Sequence, residues 1–241
     1  MKQKFLLILM IGVLTKIYSQ NQKINFELSA GPTLSVPKTS ELSNSNVDGS
    51  PEIKSSINIG AFILPSLNYK LSEKSSLDFG IGFFLDRFSI EDKIGVVTNK
   101  GNRSISQIQT PINFNFHFSQ DKSYQFGIGG FASFLLSAKE KGDTTVDLSQ
   151  IDIFYPSEPD VIPNMSFNND LKDDYNSISF GAFIQLKKTI SFSSNKQGFI
   201  LLRINQYFNS IKNNDSDLNQ FFELNNEKEP TTLNLGMGII L

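Results

Sequence analysis

The chain has 241 residues, of which 39% are hydrophobic and 19% charged, with a formal net charge of −2, 22 Phe, one His and no Cys. This length accommodates one domain or a single barrel. The charge is too mild for a typical nucleic-acid-binding protein, which carries a basic stripe, so no nucleic acid is expected as a partner. Without Cys the chain has no disulfide, thiolate metal site, Cys nucleophile or lipoprotein anchor.

The first nineteen residues have the three-part layout of a secretory signal peptide. A basic start is followed by an unbroken apolar run over 5–14, and the small residue Ser19 precedes the expected cleavage site. The run is shorter than the roughly 20 residues of a transmembrane helix, and the alternative is a buried N-terminal helix. We predict a signal peptide over 1–19 and a mature domain over 20–241. Removing the signal removes three Lys and no acid, which takes the formal charge from −2 to −5.

Apolar and polar residues alternate strictly in eight segments of the mature chain, which is typical of β-strands rather than helices. Most of the segments approach the roughly ten residues that a tilted membrane strand needs. In chain order the predicted strands cover 24–30, 57–71, 77–85, 108–118, 124–136, 178–186, 200–208 and 233–241.

The connections between these segments alternate between long and short. The long ones are expected at 37–55, 89–104, 139–174 and 210–230, and the shorter ones at 72–75, 119–123 and 189–197. Outer-membrane barrels have this asymmetry, with short periplasmic turns, long outer loops and an even number of strands. The sequence therefore predicts an all-β fold: an eight-stranded antiparallel transmembrane β-barrel, up-and-down, with long extracellular loops, in the outer membrane of a Gram-negative bacterium.

One face of the predicted strands is apolar and the other is small and polar, so we expect the apolar face to contact outer-membrane lipid. An aromatic girdle is expected beside the short turns, at Tyr69, Phe118 and Tyr124. The expected lipid face is Phe79, Ile81, Phe83, Ile112, Phe114, Phe116, Phe126, Ile128 and Phe134. The bulky residues at the alternate positions, which are expected to face inward, are Phe62, Phe84, Phe131, Phe183 and Tyr207. The inward charges, expected to form one internal ion network, are Glu27, Lys70, Asp78, Asp86, Lys187 and Arg203.

Several short motifs resemble one family. The Ile108-Gln109-Thr110-Pro111-Ile112 segment, after a long connection, resembles the "iPl" strand of PorT-like outer-membrane β-barrels of Bacteroidota. Residues 126–136 resemble the next strand of that family, and 80–82, 180–182 and Arg203 fit its layout. The resemblance implies a structural family without shared catalytic residues, of which some members serve in type IX secretion or gliding.

No catalytic, cofactor-binding or metal-binding residue is predicted, and no cofactor. His117 is the single His, so a Ser-His-Asp arrangement would need it, whereas its place by a short turn indicates a polar residue facing the lumen. One His does not make a usual zinc site. The inward carboxylates Glu27, Asp78 and Asp86 leave a catalytic pair as the alternative to an ion network.

The expected function is therefore a non-enzymatic structural or accessory component of the cell envelope, or of type IX secretion and gliding. A membrane-embedded enzyme is one alternative, and a secreted soluble barrel that binds an apolar ligand is another. The soluble barrel would need the Phe-rich face turned inward. Connection 139–174 holds apolar residues at 151–156 and 161–163. These residues either pack over the barrel mouth or contact an envelope protein partner.

Overall fold

The computed structural model describes residues 23–37, 41–43, 52–119, 121, 123–147, 161–193, 196–213 and 229–241. The predicted signal peptide and the apolar residues 151–156 lie outside these ranges. No helix within them is long and apolar enough to cross a membrane. The strands are β1 (Ile24–Val36), β2 (Glu41–Ser43), β3 (Glu52–Lys70), β4 (Ser75–Gly80), β5 (Gly82–Ile94), β6 (Val97–His117), β7 (Tyr124–Asp147), β8 (Val161–Asp170), β9 (Ile178–Ser193), β10 (Lys196–Tyr207) and β11 (Thr231–Ile240), with a 3-10 turn at Lys172–Asp174 before β9.

The strands form a ring of antiparallel neighbours. Strand β1 pairs with β3, the β4–β5 wall lies between β3 and β6, and β6 pairs with β7. The ring continues through β9, β10 and β11, and β11 returns to β1 with Glu27 opposite Ile240. When β4 and β5 are counted together as one strand of the wall, the ring has eight strands. Each of them contains most or all of one predicted segment. The predicted all-β antiparallel barrel is confirmed.

The β4–β5 wall is interrupted at Ile81 because two neighbouring strands carry proline there. Ile81 donates its backbone N–H to the carbonyl oxygen of Pro65 on β3 at 3.2 Å. On β6, Pro111 lies opposite Gly80 of β4, between the pairs Phe79–Ile112 and Gly82–Gln109. Neither proline can donate a backbone hydrogen bond. The register is the same on both sides of the gap, so the two pieces act as one wall.

Two of the predicted long loops are largely strand, which corrects the sequence analysis. Residues 89–104 continue the β5–β6 hairpin to the pair Ile94–Val97, with Gly95 at φ 56° in a two-residue turn. In 139–174, β7 continues to Asp147 and pairs with β8. We call residues 52–57, 88–105, 138–147 and 161–170 the extension sheet, and the barrel end beneath it the extension end. The opposite end, with connections at 71–74 and 118–123, is the turn end.

The apolar face of the barrel points outward, as predicted. Phe114 is 43% exposed, whereas Phe84, of opposite parity, is 1% exposed. All nine residues of the expected lipid face are exposed, and the five bulky residues of inward parity are buried. This orientation contradicts the soluble barrel with an inward Phe-rich face.

Candidate functional site

At its turn end the barrel interior widens into a polar vestibule of about 770 Å³. Glu27 and Gln125 form part of its floor, and both are buried. Lys70 and His117 line its wall. His117 is half-buried and lies opposite Gln125 in the β6–β7 pairing, so the expected place of this side chain, inside the barrel near a short turn, is confirmed.

A buried ion cluster lies behind the vestibule floor. The Nζ of Lys187 on β9 donates to Glu27 Oε2 on β1 at 2.6 Å and to Asp78 Oδ2 on β4 at 3.3 Å. Asn68 donates its side-chain amide to Asp78 Oδ1 at 2.5 Å. The three charged side chains are at most 7% exposed, so each carboxylate needs this cation nearby. This part of the predicted ion network is confirmed.

The other predicted charges, Lys70, Asp86 and Arg203, form no ion pair with this cluster, so the prediction of a single ion-paired network is wrong. Arg203 donates to Gln185 Oε1 from Nε at 3.2 Å and from a terminal nitrogen at 2.8 Å. Its guanidinium also lies 4.3 Å from the ring centre of Phe183. An amide oxygen and a ring face therefore replace the expected carboxylate as its contacts. Lys70 is exposed at the turn end.

Asp86 sits in a separate hydrogen-bonded group nearer the extension end. Gln107 donates its side-chain amide to Asp86 Oδ2 at 2.5 Å, and the hydroxyl of Ser35 donates to Oδ1 at 3.3 Å. Tyr207 donates its hydroxyl to Oδ2 at 3.4 Å and accepts from Gln109 at 2.9 Å. Uncharged donors surround this carboxyl, so a catalytic pair with Glu27 or Asp78 has no support in the geometry.

Aromatic rings fill the lumen between the polar groups. Phe62 and Phe84 stack with ring centres 5.5 Å apart and planes 13° from parallel. Phe131 meets Tyr207 edge to face at 5.0 Å. Glycine on the facing strand leaves the space for these rings, because a Cβ at Gly236 would lie 2.6 Å from the Phe62 ring. The lumen is thus occupied by interlocking side chains.

Two inward-folded segments close the extension end. Tyr175, just after the 3-10 turn, and Ile211, which follows β10, are both buried in one apolar cluster with the upper barrel wall. Asn176 holds the segments together by donating its side-chain amide to the carbonyl oxygens of Ser210 at 2.8 Å and Lys212 at 3.0 Å. We call 171–176 with 208–213 the mouth plug. The sequence did not predict it, because the only signal was two apolar or aromatic residues in each of two otherwise polar stretches, Leu171 and Tyr175 in one and Phe208 and Ile211 in the other.

The comparisons with known proteins agree with this architecture. A family model for the outer membrane protein beta-barrel domain matches residues 18–213 of the chain. The chain belongs to this family. The barrel therefore lies in the outer membrane, as the sequence predicted. A search of the curated proteins gave no match.

Solved outer-membrane proteins resemble this outer-membrane barrel at low sequence identity. OprG from Pseudomonas aeruginosa is 10% identical, with 90% of this chain and 95% of that chain covered and a TM-score of 0.37. Ail, the attachment invasion locus protein of Yersinia pestis, is 13% identical, with 91% and 100% covered and a TM-score of 0.38. AlkL is 14% identical, with 92% and 91% covered and a TM-score of 0.38.

Aromatic residues are exposed on the outward face of the outer-membrane barrel at the turn end. Tyr69, Phe118 and Tyr124 are exposed on the outward face, as expected for the girdle. Phe118 and Tyr124 contact each other with ring centres 5.9 Å apart, and Lys188 Nζ lies 5.1 Å from the Tyr124 ring centre. In the turn beside them, hydrogen bonds from Ser119 and Ser123 lower the pKa of Asp121 to about 2. The short β6–β7 turn therefore keeps a charged carboxylate in water.

Proposed function

We propose that this outer-membrane barrel is a non-enzymatic accessory component of the cell envelope, of the PorT-like kind found in Bacteroidota, serving type IX secretion or gliding. The observation that supports this best is the filled interior. Lys187 neutralises buried carboxylates, aromatic rings occupy the lumen, and the mouth plug covers one end. Such a barrel offers other molecules its surface rather than a passage.

The geometry around the polar residues supports a non-enzymatic role. Glu27 and Asp78 share the cation Lys187, which is the arrangement of a charge-pairing cluster rather than of a general acid and base. His117 lies in the wall of the vestibule, whereas Asp86 lies deeper in the barrel, beyond the vestibule floor. Asp86 is hydrogen-bonded by uncharged donors. Among the described residues no group of three or more His, Cys, Asp or Glu could hold a metal ion.

The PorT-like assignment is supported by where the motif residues lie. Pro111 of the "iPl" segment faces Gly80, and 80–82 is the very place where the wall changes from β4 to β5. The two motifs are thus one local structure on adjacent strands.

The partner surface that we propose is connection 139–174. Its described part supplies the outer strands of the extension sheet, with β8 at one edge and pairing to β7. We propose that a signal peptide over 1–19 directs export. In the proposed orientation, the turn end of the barrel faces the periplasm and the extension sheet lies outside the cell. Edge strands expose unpaired backbone groups that another chain can use.

Deletion and complementation in the producing bacterium test the proposal. We expect the deletion strain to release less type IX cargo into the medium and to spread less on agar, and the wild-type chain to restore both. A chain with 148–160 replaced by a Gly-Ser linker of equal length should reach the outer membrane without restoring them. The matched control removes Glu91–Lys100 from the β5–β6 hairpin and should restore both. Unchanged secretion, spreading and envelope permeability in the deletion strain would overturn the proposal.

A further inference from the structure

A cluster of basic side chains lies on the outer surface just beyond the lipid-facing band. Where the barrel wall leads into the extension sheet, Arg87 on β5 lies opposite Ser104 on β6, and Ser104 lies opposite Lys139 on β7. Lys141 follows two residues along β7 and lies opposite Asn102. With neighbouring strands about 4.8 Å apart, the backbones at Arg87 and Lys139 are roughly 10 Å apart. All three basic side chains are exposed.

The basic cluster, Arg87, Lys139 and Lys141, lies close beyond the lipid face. On β5, the outward residues run from Phe83, 37% exposed, through Leu85 to Arg87. On β7, Leu136, 46% exposed, is the last outward-facing apolar residue, and the half-buried Ser137 and the buried Ala138 separate it from Lys139. Side chains one position past the apolar band of a barrel lie at the level of the lipid headgroups.

These three cations have no carboxylate partner within 4 Å among the described residues, whereas Lys100 and Lys54 of the extension sheet each have one. Lys100 pairs with Glu91 at 3.0 Å, and Lys54 pairs with Glu52 at 2.5 Å. The carboxylate nearest in register to the cluster is Asp170, opposite Lys139. It accepts a hydrogen bond from the backbone N–H of Lys172 at 3.1 Å. The cluster therefore keeps an excess positive charge at the membrane surface.

We propose that Arg87, Lys139 and Lys141 bind phosphate groups on the headgroup of the outer-leaflet glycolipid. A guanidinium binds phosphate oxygens through two parallel N–H bonds, and an ammonium on a long stem adds a mobile positive charge. Arg87 and Lys139 flank Ser104, whose small side chain leaves space between them for a phosphate. The site goes beyond the proposed function and rests only on the proposed orientation, with the extension sheet outside.

Lipid binding to the purified full-length barrel tests the proposal. The probes are bisphosphorylated lipid A and the same lipid after enzymatic dephosphorylation, titrated against the protein and read by native mass spectrometry. One basic side chain at an anionic membrane surface contributes about fivefold in affinity. The triple variant R87Q/K139Q/K141Q should therefore bind bisphosphorylated lipid A roughly 100-fold more weakly than wild type does. The single variant K141Q should bind bisphosphorylated lipid A about fivefold more weakly than wild type does. Wild-type protein should bind the dephosphorylated lipid as weakly as the triple variant does.

The matched control is K93Q/K100Q, on the same outward face but farther from the membrane. It should bind bisphosphorylated lipid A as wild type does, and heat-dependent gel migration confirms that every variant is folded. Three results would each overturn the proposal: a triple variant that binds like wild type, a dephosphorylated lipid that binds as tightly, or complete displacement of the lipid by inorganic phosphate. The last would indicate a free-anion site. Cysteine labelling at Asp143, described below, tests the orientation independently of lipid binding.

Discussion

Lys187 contacts Glu27 and Asp78 at the same time, so replacing this one side chain leaves two buried carboxylates without a cation. Breaking a buried ion pair by removing one partner costs about 3–5 kcal/mol. We predict that K187M lowers the free energy of unfolding by about this amount. Urea unfolding of the barrel in lipid vesicles, followed by tyrosine fluorescence, measures the change.

Two controls separate charge from packing at this site. K187M combined with E27Q and D78N should recover most of the lost stability, because no uncompensated charge remains. K188M, at the neighbouring outward position beside Tyr124, should change the stability little. A K187M barrel as stable as wild type would show that the cluster has no energetic role.

Phe114 lies in the middle of the outward apolar run of β6 and is 43% exposed. An Arg at the bilayer midplane of a β-barrel costs about 2–4 kcal/mol, and the cost falls toward the interfaces. F114R should therefore destabilise the barrel in vesicles by about that amount. N168R, at an exposed position of β8 in the extension sheet, is the control and should be tolerated. Equal tolerance of both substitutions would contradict the assignment of the lipid face.

At the scale of the elements, the β5–β6 hairpin has two parts with different roles. The barrel part pairs the strands up to Leu85 and Ser106, and the outer part, in the extension sheet, continues to the turn at Gly95. Removing Glu91–Lys100 and joining Ile90 to Gly101 through an Asn-Gly turn leaves the barrel pairs intact. We predict that the trimmed protein folds with the heat-dependent gel migration and the urea midpoint of wild type. Loss of folding would mean that the extension sheet is needed to form the barrel.

The sequence predicts the membrane-spanning parts of the strands and little beyond them. At Ile112, Phe114 and Phe116 of β6, apolar side chains face outward at every second position, so the period of two is visible. In 97–107 the outward residues are Thr98, Lys100, Asn102, Ser104 and Ser106, so the same strand continues with no apolar period to reveal it. Strand length was therefore underestimated wherever the wall leaves the membrane.

The alternation in the sequence predicts which side chains face the barrel interior, but not which groups they contact there. The alternation places Lys187 and Arg203 on the inward face, as the structure does. Which group each one contacts depends on geometry across the lumen: Lys187 on β9 reaches β1 and β4, whereas Arg203 on β10 turns to Gln185 and Phe183 on β9. The mouth plug was missed because Tyr175 and Ile211 meet through chain reversals that carry no periodic pattern.

For the whole molecule, the filled lumen predicts the absence of a steady pore. The vestibule ends on the buried floor residues Glu27 and Gln125, and the stacked rings of Phe62 and Phe84 lie deeper in the barrel. Eight strands leave a lumen just wide enough for side chains to fill. Planar-bilayer recordings of the purified barrel should show no steady conductance. Stable porin-like steps would mean that the interior opens in the membrane.

The central claim is a barrel that crosses the outer membrane with its extension sheet outside and its short turns inside. It is tested most directly by single cysteines at Asp143, on β7 in the extension sheet, and at Glu73, in the β3–β4 turn. The native chain has no Cys, so each label reports one site. On intact cells, an impermeant thiol reagent should label D143C, and E73C only after the outer membrane is opened. Labelling of E73C but not D143C on intact cells would contradict the account.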